Sequence, residues 1–301
     1  MIQIDEASVR RHLPIGKAID LLDQTFNEWA EGRSSNQPRR RMFMPSGAVL
    51  HALAGYNEAY FGTKVYSTHP KHGAWFHFLL YDAVTGRPLA LFEADWLGQI
   101  RTGAASGLAT RRLACDGPAT VAVLGSGFQA RSQLDAVRAV REVTRTQVWS
   151  RKRENAEKFA AEMGAEVAES ADEAVAEASI VVTATSAREP LFAASSVRPG
   201  THINAAGSNA PGKRELPGEL MARAGAIVVD SIEQARMEAG DLLLALDEKG
   251  WERVEELKAG RVRRDASEIT VFKSIGLGLE DVAVAGWVYE RVKASLEPGA
   301  H

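Results

Sequence analysis

The chain has 301 residues, 45% of them hydrophobic and 25% charged, enough for one large domain or two ordinary ones with real cores. A net charge of −3 and a pI near 6.2 argue against a polyanion or membrane-surface partner, and no apolar run approaches the ~18 residues of a spanning helix. The one cysteine, Cys115, cannot form an internal disulfide, and "MIQIDEASVRRHL" lacks the order of a signal peptide, so a cytoplasmic protein is expected.

Pro14 opens a predicted helix, "PIGKAIDLLDQTFNEWAEG", with Ile15, Ile19, Leu22, Phe26 and Trp29 on one stripe and Gly32 as its C-terminal cap. From Arg39 to about Glu93 the pattern changes to short strands: "AVLHALAGY", "FGTKVYS", "WFHFLLYD" and "PLALFEA". The stretch "DAVTGRP" forms a turn between two of them. A mostly antiparallel sheet is expected. "LGQIRTGAASGLATRRLA" reads as a helix whose small residues let another backbone approach closely. Asp116, Gly117 and Pro118 mark a boundary. Beyond them strands such as "TVAVLG", "TQVWS", "ASIVVTAT", "GAIVVDS" and "ITVFKSIG" alternate with helical segments, the mark of a parallel sheet covered on both faces. The expected fold is α/β: a Rossmann-type doubly wound parallel sheet plus an α+β domain. The division assigns 1–115 with 283–301 to the α+β part and 116–282 to the nucleotide-binding part.

The turn "VLGSGFQA" matches the dinucleotide fingerprint. Gly125 permits the strand-to-helix turn, Gly127 leaves room for a pyrophosphate, and Ala130 lets the helix lie close to the sheet. Gly125, Ser126, Gly127, Phe128 and Gln129 therefore form the expected phosphate loop, with the helix N-terminus facing the anion. A bare glycine turn is a weak signal, but here it follows a strand, opens a helix and starts the alternating run. An NAD site places an acid at the end of the next strand, to accept from the ribose hydroxyl. Ser150 stands there instead, followed by Arg151, Lys152 and Arg153. A hydroxyl and a guanidinium suit a 2′-phosphate, so NADP(H) is favoured over NAD(H).

With both halves in view, the chain resembles the ornithine cyclodeaminase/mu-crystallin family. The matching stretches include "FGTKVYSTHP", "YDAVTGRPLALFEADWLGQIRTGAASGLAT", "GTHINAAGSNAPGKREL", "VVDSIEQAR" and "TVFKSIGLGLEDVAVA". The resemblance implies a homodimer, with the α+β part serving as substrate and dimerisation domain, and nicotinamide-dependent chemistry on amino or imino acids. It also implies that Lys64, Arg101 and an arginine of an early strand hold the substrate carboxylate. That arginine is ambiguous among Arg39, Arg40 and Arg41, and counting back from Lys64 favours Arg40. A buried anion does need such donors, and a desolvated lysine beside two arginines has a lowered pKa and can move protons at neutral pH. By the same resemblance Thr102 lies near the phosphates, Ser274 begins the segment beside the nicotinamide, and Thr183 and Thr185 line the strand end below the ribose.

One departure matters. Cyclodeaminases carry an aspartate in the loop after "NA-G", and this chain has Asn209, whose amide takes no proton at neutral pH. Asn209 therefore favours reduction of a cyclic or linear imine, or the reverse oxidation, with Lys64 and Arg101 in the reacting site. Cyclodeaminase chemistry with recycled NAD and a non-catalytic NADP-binding protein stand as alternatives. Asp230 is a candidate replacement base, more commonly a helix cap. His69, His72 and His77 match no compact metal-ligand spacing, and a role for His69 and Lys71 in the substrate loop is preferred. No nucleic acid, membrane or metal partner is expected.

Overall fold

A computed structural model describes residues 1–296, and the chain divides into two units. The first comprises Met1–Arg101 and the described residues from Gly276 onward; the second is Thr102–Ile275.

The first unit opens with β1 (Ile2–Ile4), α1 (Glu6–His12) and α2 (Ile15–Ala30). Leu22 and Phe26 of α2 are buried as the spacing predicts, and Gly32 ends the segment at φ 77°. Then come β2 (Ser35–Phe43), β3 (Val49–Tyr56), β4 (Tyr60–His69), β5 (Gly73–Asp82) and β6 (Pro88–Glu93). They form one sheet in the order β1-β6-β5-β4-β3-β2, antiparallel except that β1 runs parallel to β6. The tripeptide β1 carries too little pattern to be read from sequence.

Helix α3 (Asp95–Leu113) begins in this unit and ends in the next. The sequence boundaries at 115/116 and 282/283 therefore differ from the divisions at 101/102 and 275/276. The reason is local. Gly103 comes so close to the next helix that a Cβ there would lie 2.5 Å from the Ser132 carbonyl oxygen, and the Gln133 side chain donates to the Thr102 carbonyl. The small residues thus seat the second half of α3 on the parallel-sheet unit.

That unit contains β7 (Ala119–Leu124), α4 (Phe128–Val140), β8 (Val143–Trp149), α5 (Arg153–Met163), β9 (Glu166–Val167), α6 (Ala171–Glu177), β10 (Ile180–Thr183) and β11 (His202–Ala205). It continues with α7 (Glu219–Arg223), β12 (Ala226–Val229), α8 (Ile232–Glu238), α9 (Gly240–Leu243), α10 (Glu248–Trp251), β13 (Val254–Glu256) and β14 (Thr270–Lys273). The sheet is parallel throughout, in the order β13-β12-β14-β11-β10-β7-β8-β9. Apolar cores cover both its faces, as continuous apolar strands require. A Rossmann-type sheet joined to an α+β unit is the observed fold. The final helix, α11 (Gly278–Leu296), returns to the first unit and packs on β3, β4 and α2. Its start is pressed onto β3: a Cβ on Gly278 would lie 2.6 Å from the Ala54 backbone, and one on Gly55 2.5 Å from the Leu279 nitrogen.

Candidate active site

Alternation along β4 turns Gly62, Lys64 and Tyr66 to the buried face. Lys64 is 2% exposed, and its Nζ lies 3.0 Å from Asp281 Oδ1 in the first turn of α11. The ammonium rests on Gly98 of α3, where a Cβ would come within 2.4 Å of it. One turn further along α3, Arg101 donates from Nε to the same Asp281 oxygen at 3.3 Å and from Nη1 to Glu280 at 3.0 Å. Gly276, at φ 76°, gives this guanidinium its space, since a Cβ there would lie 2.3 Å from Nη1. Two glycines thus seat two buried cations.

The third cation corrects the sequence reading. Arg40 is exposed, whereas Arg39 is buried and donates to the Gly276 carbonyl oxygen at 3.0 Å. A register shift between Gln37 and Arg40 places one extra residue in β2 against β3. Arg41 is half-buried opposite His51.

The cluster therefore contains three cations, Arg39, Lys64 and Arg101, against two acids, Glu280 and Asp281. Three buried cations gathered in one place suit a carboxylate as ligand. Burial lowers the Lys64 pKa most strongly, with Arg101 and Arg39 acting in the same direction and Asp281 opposing them. Next to Lys64 on the same face, His51, Tyr66 and Phe76 lie opposite one another across β3, β4 and β5. The His51 and Tyr66 rings stack at 4.2 Å, those of Tyr66 and Phe76 at 4.8 Å. Burial and the charges of Arg41 and Arg39 push His51 down to about 4, so this wall is uncharged at neutral pH. His69 and His72 lie ring to ring at 4.5 Å, and His69 Nδ1 accepts from the Lys71 nitrogen, which steadies that loop.

In the second unit, Gly125 has φ 114° and lies so close to the Ala184 carbonyl oxygen that a Cβ would fall 2.4 Å from it. Gly127 caps α4 without a side-chain hydrogen bond, and a Cβ there would meet nothing within 4 Å. Ala130 is fully buried. Arg131 reaches back to the carbonyls of Ser126 and Gly127 and pairs with Glu162, bracing the turn from behind. Ser126 and Ser150 hydroxyls meet at 3.0 Å, which joins the turn to the end of β8. Phe128 is exposed, Gln129 half-buried and Arg151 exposed. Arg153 pairs with Glu157 and Glu169. Among the described residues Arg151 forms no such pair.

Thr183 is fully buried, and its hydroxyl donates to Glu215, as do the hydroxyl and nitrogen of Thr185 and the nitrogen of Gly207. Beside it Lys273 pairs with Asp241 at 2.9 Å, both fully buried. Asp241 in turn accepts from the Glu215 and Leu216 nitrogens. Asp230, offered above as a base, is fully buried and holds the Ile275 nitrogen and the Ser274 hydroxyl. Thr102 is buried, and Asn209 is half-buried in the loop after β11. Lys64, Arg39 and Arg101 are thus gathered in the first unit, while the turn residues, Ser150, Thr183, Thr185, Asn209 and Ser274 belong to the second.

A model of the ornithine cyclodeaminase/mu-crystallin family matches residues 2–295. The chain belongs to this family. It is 41% identical to a Δ1-pyrroline-2-carboxylate reductase of Bacillus cereus over 71% of this chain and 70% of that protein. It is 32% identical to alanine dehydrogenase of Archaeoglobus fulgidus over 95% and 94%. The structure of Thermococcus litoralis Δ1-pyrroline-2-carboxylate reductase in complex with NADH and L-proline superposes with a TM-score of 0.91, at 32% identity and 98% coverage of both chains.

For a member of the ornithine cyclodeaminase/mu-crystallin family, the sequence reading named Lys64 and Arg101, favoured Arg40 over Arg39, and did not name the acids that meet them. Glu280 and Asp281 stood inside a quoted motif, "SIGLGLED", yet only the fold reveals that this segment meets Lys64 and Arg101. Glu215, Asp241 and Lys273 were also missed. An acid within "KREL" and a lysine within an apolar strand, "TVFKS", are the signals that could have found them.

Proposed function

We propose that this chain is an NAD(P)-dependent oxidoreductase that reduces a small imino acid, cyclic or linear, or runs the reverse oxidation of an amino acid. The observation that carries this reading is the buried gathering of Arg39, Lys64 and Arg101, with Lys64 and Arg101 held by Asp281 and Glu280. Those three residues bind the substrate carboxylate. Lys64 gives the proton that the substrate nitrogen takes as C=N becomes C–N, and later regains it from solvent.

The residues of the second unit fit a dinucleotide. The tight turn at Gly125, the open space at Gly127 and the α4 N-terminus without a side-chain cap suit a pyrophosphate. When bound, the coenzyme exchanges a hydride with the nitrogen-bearing carbon. Ser150 and Arg151 at the end of β8 favour NADP(H), because an anion there meets a hydroxyl and an exposed guanidinium instead of a carboxylate. Asn209 and the commitment of Asp230 to Ser274 and Ile275 both disfavour cyclodeamination. Thr102 and Thr185 border the coenzyme site, while Thr183 acts through Glu215.

The working form is a homodimer in a reducing cytoplasm. On the face of the first sheet away from Lys64, Met42, Leu50, Phe61, Val65 and Trp75 are exposed, an apolar surface that a second copy would cover. An archaeal alanine dehydrogenase of similar fold is a dimer with bound NAD, at a TM-score of 0.91 and 30% identity.

The reading is tested by following NADPH absorbance with Δ1-pyrroline-2-carboxylate and its six-membered homologue. Consumption with formation of the cyclic amino acid is the expected result. No consumption with any cyclic or linear imino acid, using NADPH or NADH, would overturn it.

A further inference from the structure

The proton-donating lysine sits in surroundings that oppose its charge. Lys64 is almost fully buried, and two guanidinium groups act on it. The charged groups facing it are Arg39 of β2, Arg101 and Asp95 of α3, and Asp281 of α11. Only Asp281 is in contact with it, through Oδ1, and that oxygen also takes Arg101 Nε. The other oxygen, Oδ2, is buried and accepts no hydrogen bond among the described residues. The negative charge of Asp281 is therefore not shared with backbone donors, and it falls on these two cations.

We propose that Asp281 is a positioning residue of the reaction: its bridging carboxylate fixes Lys64 Nζ beside Arg101 and keeps the lysine charged, so that it can protonate the substrate nitrogen. The inference rests on reading Lys64 as the proton donor. In the step itself, the imine carbon takes a hydride, one proton with two electrons, from the reduced coenzyme, and the C=N π pair moves to nitrogen. The nitrogen forms an N–H bond with the Lys64 proton, leaving a neutral amine on Lys64. The imine is reduced and the coenzyme oxidised. Lys64 must begin each turnover charged, although burial and two arginines disfavour that state. Asp281 supplies the opposing charge, and the geometry places Glu280 on Arg101, so that Asp281 alone bridges to the lysine.

The test uses the full chain and the variant Asp281→Asn, which keeps shape and removes charge. Loss of an opposite charge in contact moves a titration by about one to three pH units. The alkaline limb of kcat/KM for reduction of Δ1-pyrroline-2-carboxylate should move down by about that amount. The effect should fall on kcat more than on KM. A second readout needs no turnover. In coenzyme-free protein with 13C-labelled lysine, the Cε resonance that disappears in Lys64→Met should titrate lower in Asp281→Asn by the same interval. Asp281→Glu should recover most of both shifts, and Asp281→Ala, which also removes the charge, replaces the amide variant if that one does not fold.

Loss of activity with the limb and the Lys64 titration both unchanged would reduce Asp281 to a structural role and overturn the proposal. If the wild-type chain reduces no imine, the proposed function has failed. The resonance titration still decides whether Asp281 sets the charge of Lys64.

Discussion

Gly98 and Gly276 carry as much of the site as the charged residues they seat. A methyl group at Gly98 would meet the flexible end of Lys64 rather than backbone, so the fold can absorb it by moving Nζ. Gly98→Ala is therefore expected to melt within a few degrees of the wild type. Its kcat/KM should fall about a hundredfold, the usual cost of a displacement near 1 Å at a reacting group. Thermal melts and steady-state rates measured together check it. Arg39 and Arg40 make a sharper pair. Removing Arg39 takes one charge-assisted donor from the proposed carboxylate clamp, so Arg39→Ala should raise KM about ten- to a hundredfold. Arg40→Ala should leave it within about twofold, as exposed substitutions usually do. Equal effects for the two would show that burial does not choose between them. The glycine turn was legible because a strand precedes it and a helix follows, and Lys64 and Arg101 were singled out by the resemblance to the family. The choice of Arg39 over Arg40 was not legible, because three consecutive arginines look alike in sequence and only the orientation of the strand decides which is buried.

Whole elements were readable where period and length were clear: α2, β3 to β6, β7 and α4. The helices of 207–251 were not, because they are only four to seven residues long and too short to display a period. What orders that stretch is a set of buried polar contacts, with Glu215 collecting Thr183, Thr185 and Gly207 and Asp241 holding Lys273. Sequence spacing contains none of these pairings. A second buried chain ties α3 to the parallel sheet: Asn204 donates to Thr110, while His202 joins Asn204 and Thr270. Burial pushes His202 down to about 3, whereas an unfolded histidine titrates near 6.5. The unfolded chain therefore takes up a proton that the folded chain refuses. Stability from this residue is complete above pH 6.5 and is lost as pH falls toward 3. Urea midpoints should drop between about pH 7.5 and about pH 5, and His202→Gln should lose part of that pH dependence. An unchanged dependence in the variant would mean that other groups set it. At the far end of β8, Ser150→Asp is expected to lower kcat/KM with NADPH at least about tenfold, because a carboxylate there repels a 2′-phosphate. Its effect with NADH should be much smaller, and paired assays with the two coenzymes decide it.

At the scale of the whole molecule, the first sheet shows one face to α11 and carries exposed Met42, Leu50, Val65 and Trp75 on the other. A homodimer in solution should be visible by light scattering. Trp75→Glu combined with Val65→Lys should shift it toward monomer while far-ultraviolet circular dichroism stays the same. A wild-type chain that is monomeric at micromolar concentration would remove that part of the account. In the proposed reaction the first unit holds a small carboxylate among buried cations and the second carries a dinucleotide on a parallel sheet. The most direct measurement follows the transferred atom, using NADPH deuterated at the reactive C4 position, Δ1-pyrroline-2-carboxylate and the wild-type protein. The account predicts one deuterium on the α-carbon of the proline formed, read by mass spectrometry and proton NMR. Proline formed from ornithine with release of ammonia, and no deuterium passed from coenzyme to imine, would contradict it.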